Sequence, residues 1–188
     1  DRIEAASLLC MVAATGGKIK LNNIITDNIT PVINKLEECG CKIEKEKNTV
    51  YLEAPRKLKA VDIKTMPYPG FPTDMQSVFA SMLTTAKGTS VIVENIFENR
   101  YKFMAELKKM GAKITIEGKT AVIKGVRKLS GAKVISTDLR GGAALVTAGL
   151  IARGKTEITN IEYILRGYEG LDKKLQQLGA KIEIKKDE

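Results

Sequence analysis

Three stretches of this chain repeat the same features in the same order. A chain built that way is constrained more by its repeat than by any single motif. Asp1-Arg-Ile-Glu, Asp74-Met-Gln and Asp138-Leu-Arg each open a run of small and apolar residues. Each run ends at a glycine (Gly17, Gly88, Gly154), and a β-like stretch then closes on Asn-Ile at Asn23-Ile24, Asn95-Ile96 and Asn160-Ile161. An amphipathic segment follows in each copy. It ends at Cys39-Gly40-Cys41, Met110-Gly111-Ala112 and Leu178-Gly179-Ala180, with Lys-Ile next in all three. The copies occupy about 1–54, 73–125 and 137–188, which implies a pseudo-threefold object. A unit of this size cannot bury its own apolar face, so the expectation is one domain over 1–188 made of three units.

Within each unit the opening run (Ala5 to Ala14, Ser77 to Ala86, Gly141 to Ala152) has no polar face, the pattern of a buried helix. Ala, Gly, Ser and Thr keep these helices slim, so three of them are expected at the centre. Leu8, Leu9 and Val12, then Val78, Phe79 and Met82, then Leu145, Val146 and Leu150 supply the bulk. Strands are predicted at Lys18-Ile-Lys-Leu, Ser90-Val-Ile-Val and Thr156-Glu-Ile-Thr. A second, amphipathic helix buries Val32, Ile33 and Leu36; Phe103, Leu107 and Met110; and Leu171, Leu175 and Leu178. It stops at Gly40, Gly111 and Gly179, where glycine fits the left-handed helix end. Hairpins are predicted from Lys42 to Glu53 and from Lys113 to Lys124, turning near Asn48 and Gly118. In the third unit one strand is expected at Lys181-Ile182. Bridges from Ala60 to Lys64 and from Ala132 to Ser136 lead into the next unit. The fold class is therefore α/β (α+β), a β-α-β-α-β-β repeat with one helix of each unit inside and one outside.

Composition narrows the chemistry. The chain has no histidine and three cysteines, an odd number that reads as reduced thiols of a cytoplasmic protein. Proton transfer must fall to carboxylates, Lys, Tyr or Cys. Cys39-x-Cys41 has no histidine and no second cysteine pair to complete a zinc site, so no metal is expected. The net charge of +9 invites a nucleic-acid reading. However, the lysines are scattered and there is no Trp and little Phe or Tyr for base stacking. A solvated basic surface is the simpler reading, and an anionic small molecule the next. No apolar run is long enough to span a membrane. Because Asp1 opens directly into a helical pattern without Met, a segment of a longer protein is expected.

Four strings are more specific than the scaffold: Tyr68-Pro-Gly-Phe-Pro-Thr-Asp-Met-Gln76, Ile96-Phe-Glu-Asn-Arg100, Thr137-Asp-Leu-Arg140 and Arg166-Gly-Tyr-Glu169. In this order, over this repeat, the chain resembles the UDP-N-acetylglucosamine enolpyruvyl transferases, from Asp1 to Glu188 and over one of their two domains. The resemblance implies an inside-out α/β barrel whose partner domain is absent from this chain. It also implies transfer of the enolpyruvyl group of phosphoenolpyruvate to the 3′-hydroxyl of UDP-N-acetylglucosamine with release of phosphate, the committed step toward peptidoglycan. No cofactor is implied. The family's proton donor, a loop cysteine, and a Lys-Asn pair binding phosphoenolpyruvate belong to the other domain. Cys10, Cys39 and Cys41 lie in different contexts and do not take that role.

The resemblance assigns Asp74 to the sugar 3′-hydroxyl as base, a backbone group of Ile96 to the nucleotide sugar, and Arg100 and Arg166 to the phosphoenolpyruvate side. Arginine suits that side through its fixed charge and forked geometry. Asp138 and Arg140 match a second polar pair of the family at the head of the third buried helix and are expected, like Asp74, to bind substrate. Arg2, in the equivalent place in the first unit, is expected to face the interdomain cleft. Each position also has a structural reading. Thr73-Asp-Met-Gln76 has the pattern of a capping box, Asp138 that of a helix cap, and lone arginines are usually solvated. Leu165 stands where the family often has an acid beside the arginine, so a salt bridge orienting Arg166 is not expected. Two alternatives stay open, a shikimate-pathway enolpyruvyl transferase domain and a basic RNA-binding repeat module.

Overall fold

The computed structural model describes residues 1–185; the last three residues of the third repeat lie outside the described residues. The first unit contains α1 (Arg2–Thr15), β1 (Lys18–Asn22), a 3-10 turn (Thr26–Ile29), α2 (Thr30–Glu38), β2 (Lys42–Glu46) and β3 (Thr49–Glu53). The bridge β4 (Ile63–Lys64) leads into α3 (Thr73–Leu83), β5 (Thr89–Val93), α4 (Lys102–Lys109), β6 (Lys113–Glu117) and β7 (Thr120–Lys124). The third unit is entered through β8 (Leu129–Ser130) and β9 (Lys133–Ile135). It holds α5 (Leu139–Ile151), β10 (Ala152–Arg153), β11 (Glu157–Thr159), α6 (Glu162–Leu165) and α7 (Leu171–Gln177).

The helices α1, α3 and α5, expected inside, pack on one another and are buried along most of their length. Small residues bring them close enough for side chains of one helix to reach the backbone of the next. Ser77 Oγ donates to the Arg140 carbonyl at 2.8 Å and Ser81 Oγ to the Ala144 carbonyl at 2.6 Å. Gly141 and Gly142 serve the same close packing. A Cβ on Gly142 would stand 2.4 Å from Ile164 Cγ1, and one on Gly141 3.0 Å from Phe103 Cβ.

Sheets lie outside this bundle. β1-β3-β2 is antiparallel, with Lys18 opposite Glu53 and Lys42 opposite Glu53. In β4-β5-β7-β6, the bridge β4 runs parallel to β5 and the remaining pairs are antiparallel. Two short parallel pairs, β8 with β10 and β9 with β11, stitch the third unit on. The bridges expected at 60–64 and 132–136 thus pair with the strand of the unit they enter. The result is a mixed α/β fold, and no closed barrel is formed among the described residues.

The helix-end glycines Gly40, Gly111 and Gly179 all have positive φ, at 99°, 95° and 94°. The third unit departs from expectation just beyond Gly179. Lys181-Ile182 is not a strand, and Leu178 is 48% exposed although Cys39 and Met110, its equivalents, are fully buried. The cause is pairing. In the first two units this strand exists because β3 or β7 bonds to it, and the hairpin covers the end of the second helix. Among the described residues the third unit offers no such partner.

Candidate functional site

Asp1, Asp74 and Asp138 are equivalent in the repeat, yet only two of them cap a helix. Asp1 Oδ1 accepts from the Ile3 and Glu4 amides at 2.6 and 3.0 Å. Asp138 Oδ1 accepts from the Arg140 and Gly141 amides at 3.0 and 2.8 Å, and its Oδ2 accepts from Thr137 Oγ1 at 3.0 Å. These are N-caps in the ordinary sense. Helix α3 instead begins earlier relative to its aspartate, with Pro72 in the cap position and no side-chain cap bond. The capping box expected at Thr73-Asp-Met-Gln76 does not form. Thr73 Oγ1 turns away to Glu94, and the buried Gln76 amide has no hydrogen-bond partner among the described residues.

The early start leaves the Asp74 carboxylate without capping duty. Arg100 NH2 lies 3.3 Å from its Oδ1 and Arg140 NH2 lies 3.2 Å from its Oδ2. The three side chains are 36%, 21% and 18% exposed, so the cluster faces solvent without being fully solvated. Arg100 is further held by Phe97, whose ring centroid lies 4.7 Å from its Cζ. Two guanidiniums around one carboxylate leave a net positive site. Each carboxylate oxygen keeps a lone pair able to accept from a hydroxyl. Such an arrangement can attract an anion and take a proton from an alcohol beside it.

The other expected residues are placed differently. The Ile96 amide is occupied, donating to Glu94 Oε1 at 2.8 Å, so a backbone contact to a ligand falls to its carbonyl. Asp138 is a cap outside the ion-pair cluster. Arg166 is exposed and has no ion pair among the described residues; the Tyr163 ring centroid lies 5.9 Å from its Cζ. Gly167 and Tyr168 of the same motif belong to the packing. Tyr168 is buried with its hydroxyl 2.9 Å from Ser7 Oγ, and a Cβ on Gly167 would stand 2.5 Å from Leu139 Cδ1. Arg2 is exposed. Burial pushes the thiol of Cys39 up to about 12 and that of Cys41 up to about 11, and it raises Cys10 well above its ordinary value. All three are buried structural thiols.

Glu94 belongs to none of the sequence motifs. It is a carboxylate only 2% exposed, bonded to Thr65, Thr73, Ile96 and Phe97. The signal available was a break in the repeat, because Asn22 and Thr159 precede the Asn-Ile pair in the other units. Neither of two open depressions elsewhere on the surface includes the aspartate or its arginines. The first, of about 520 Å³, lies between α2 and the strands β4 and β5. The second lies over β6 and β7.

A fold of three slim central helices with an arginine-bracketed aspartate at their N-terminal ends defines a class, and comparison with known proteins gives its name. Residues 1–175 match the family model of EPSP synthase (3-phosphoshikimate 1-carboxyvinyltransferase), and the chain belongs to that family. Among its relatives are UDP-N-acetylglucosamine 1-carboxyvinyltransferases of several bacteria. The one from Desulfofundulus thermocisternus is 55% identical over 97% of this chain and 75% of the relative. The first such protein of Caldanaerobacter subterraneus subsp. tengcongensis is 56% identical over 97% of this chain and 44% of the relative. The chain thus spans less than half the length of several curated relatives it matches. The enolpyruvyl transferase NikO from Streptomyces tendae superposes with a TM-score of 0.86 at 25% identity, over 96% of this chain and 43% of that one. EPSP synthase from Acinetobacter baumannii shares the fold, with a TM-score of 0.82 at 22% identity over 98% of this chain and 46% of that one.

Proposed function

We propose that residues 1–188 form one domain of a UDP-N-acetylglucosamine enolpyruvyl transferase. In this reading the chain supplies the base and part of the anion-binding surface, and a second domain of similar architecture closes over the substrates. The observation that carries it is the Asp74 carboxylate, released from helix capping and set between Arg100 and Arg140. The 55% identity to a relative of that name supports the choice of acceptor. The fold is read as an inside-out α/β barrel, with its helices in the centre and its sheets outside.

The Asp74 carboxylate takes the proton of the sugar 3′-hydroxyl as the oxygen attacks C2 of phosphoenolpyruvate. A proton reaches the methylene carbon from a donor on the second domain. In the return step that carbon loses a proton, the C2–O bond to phosphate breaks, the double bond re-forms and phosphate leaves. Arg100 and Arg166 face the phosphate and carboxylate, whose charge a fixed guanidinium neutralises without a proton equilibrium of its own. Arg140 holds Asp74 in place, Asp138 fixes the turn that carries Arg140, and the Ile96 carbonyl meets the nucleotide sugar. No cofactor or metal takes part. The enzyme works in the cytoplasm on soluble substrates, and nucleic acid and membrane are not its partners; no described helix is long and apolar enough to cross a membrane.

The test is ligand choice by the intact enzyme that contains this domain. Saturable binding of UDP-N-acetylglucosamine, with none of shikimate 3-phosphate or RNA, is the expected result. Preference for shikimate 3-phosphate would assign the domain to the other branch of the family. Salt-sensitive RNA binding alone would make it a binding module.

A further inference from the structure

The repeat supplies its own internal control for Glu94. In the first and third units the residue before Asn-Ile is Asn22 or Thr159, neutral and exposed, and the following asparagine is left-handed, with φ of 61° at Asn23 and 56° at Asn160. In the second unit that residue is a buried carboxylate and Asn95 does not adopt positive φ. The same unit is the one whose aspartate is not a cap. Both departures from threefold symmetry therefore fall at one place.

Four neutral donors satisfy Glu94. Its Oε1 accepts from Thr65 Oγ1 at 2.8 Å, from the Ile96 amide at 2.8 Å and from the Phe97 amide at 3.2 Å. Its Oε2 accepts from Thr73 Oγ1 at 2.9 Å. Thr65 Oγ1 in turn accepts from the Asn95 amide at 2.9 Å. No Lys or Arg pairs with Glu94 among the described residues. Burying a carboxylate costs free energy that a neutral residue would avoid, and the other two units manage the same strand end with neutral residues. What the charge adds is strong bonds in two directions at once. One oxygen holds the Ile96–Phe97 backbone, while Arg100 keeps its own pair with Asp74. The other holds the first residue of α3, next to Asp74.

We propose that Glu94 is a positioning residue for the nucleotide-sugar half of the site. It fixes the Ile96 carbonyl relative to Asp74 without touching ligand. The substrate half of this inference rests on the function proposed above; the backbone half does not.

Two measurements test it. In the 188-residue chain, Glu94→Ala should speed amide hydrogen exchange at Ile96 and Phe97 by about tenfold or more, leaving Met82 and Val91 unchanged, and Glu94→Gln should fall between. In the intact enzyme, Glu94→Ala should raise KM for UDP-N-acetylglucosamine by about tenfold or more and that for phosphoenolpyruvate by less than about threefold, again with Glu94→Gln between. Equal rises in both KM values, or faster exchange spread uniformly over the chain, would make Glu94 an ordinary stabilising residue and overturn the inference. If the unmodified enzyme did not use UDP-N-acetylglucosamine, the function proposed above would fall, and the exchange at Ile96 and Phe97 would still decide the role of Glu94. Should Glu94→Ala not fold, Glu94→Gln carries both readouts.

Discussion

The Asp74 carboxylate and the Arg140 guanidinium, 3.2 Å apart, join the first turns of two central helices that are far apart in sequence. The pair sits where the repeat would otherwise place a second helix cap. This geometry separates two aspartates that the sequence makes look alike.

That separation is testable by stability. Asp138→Ala removes an acceptor for two amides at the start of α5 and should cost about 0.5–2 kcal/mol. Asp74→Asn removes no cap, and its ion pairs are partly solvated, so its cost should stay under about 1 kcal/mol. Urea denaturation of the two variants checks the order.

The central bundle gives a second prediction. Ala80 and Ala144 are completely buried in α3 and α5. Replacing either with Leu forces the helices apart and should cost about 1–3 kcal/mol. A variant as stable as the parent would contradict the close packing that the Ser81 to Ala144 bond implies.

The buried thiols predict both chemistry and a pH limit. Desolvation lifts Cys39 to about 12, with the neighbouring Cys41 and Glu38 adding to it, and lifts Cys41 to about 11. Burial likewise takes Tyr101 to about 12. A raised folded value means that the neutral form is favoured in the native state. The associated stability is complete below the unfolded values, about 8.5 for Cys and about 10 for Tyr, and is lost as pH rises toward 11–12. The native chain should therefore leave its thiols unreacted with a disulfide reagent at neutral pH and lose stability from about pH 9 upward. Rapid native-state labelling of Cys39 or Cys41 would contradict their burial.

Features written in local sequence were legible in advance: the three runs without a polar face, the glycines at helix ends, and the hairpin turns at Asn48 and Gly118. The exposure of Leu178 and the missing strand at Lys181-Ile182 were not, because a strand depends on a partner elsewhere in the chain. Within the site, Asp74, Arg100 and Arg140 stand in separate motifs, and the fold brings them into contact. The failed capping box shows the limit of such patterns. Thr73 has the right spacing to Gln76, but Pro72 takes the cap position, so Thr73 is already the first helical residue and its hydroxyl donates to the buried Glu94 instead. Glu94 itself sits at the end of an apolar strand, where nothing local distinguishes a buried acid from a solvated one.

Arg166 allows a test of the anion-binding side. Lysine keeps the charge and loses the fork, so Arg166→Lys in the intact enzyme should weaken phosphoenolpyruvate by about tenfold and UDP-N-acetylglucosamine by much less. Equal losses for both substrates in steady-state kinetics would remove Arg166 from the phosphoenolpyruvate side.

The 188-residue chain by itself should release no phosphate from phosphoenolpyruvate and UDP-N-acetylglucosamine, because the proposed proton donor lies on the second domain. A phosphate assay on the purified chain checks this, and measurable turnover would show the chain to be catalytically complete.

The most direct test of the account is the turnover of Asp74→Asn in the intact enzyme, measured beside its affinity for UDP-N-acetylglucosamine and its melting temperature. Asparagine keeps the shape of the side chain and an acceptor for one guanidinium, but it cannot take the hydroxyl proton. Turnover should fall by about 10²–10⁴ while nucleotide-sugar affinity and melting change little. Near-normal turnover in a destabilised protein would make Asp74 a structural residue and contradict the account.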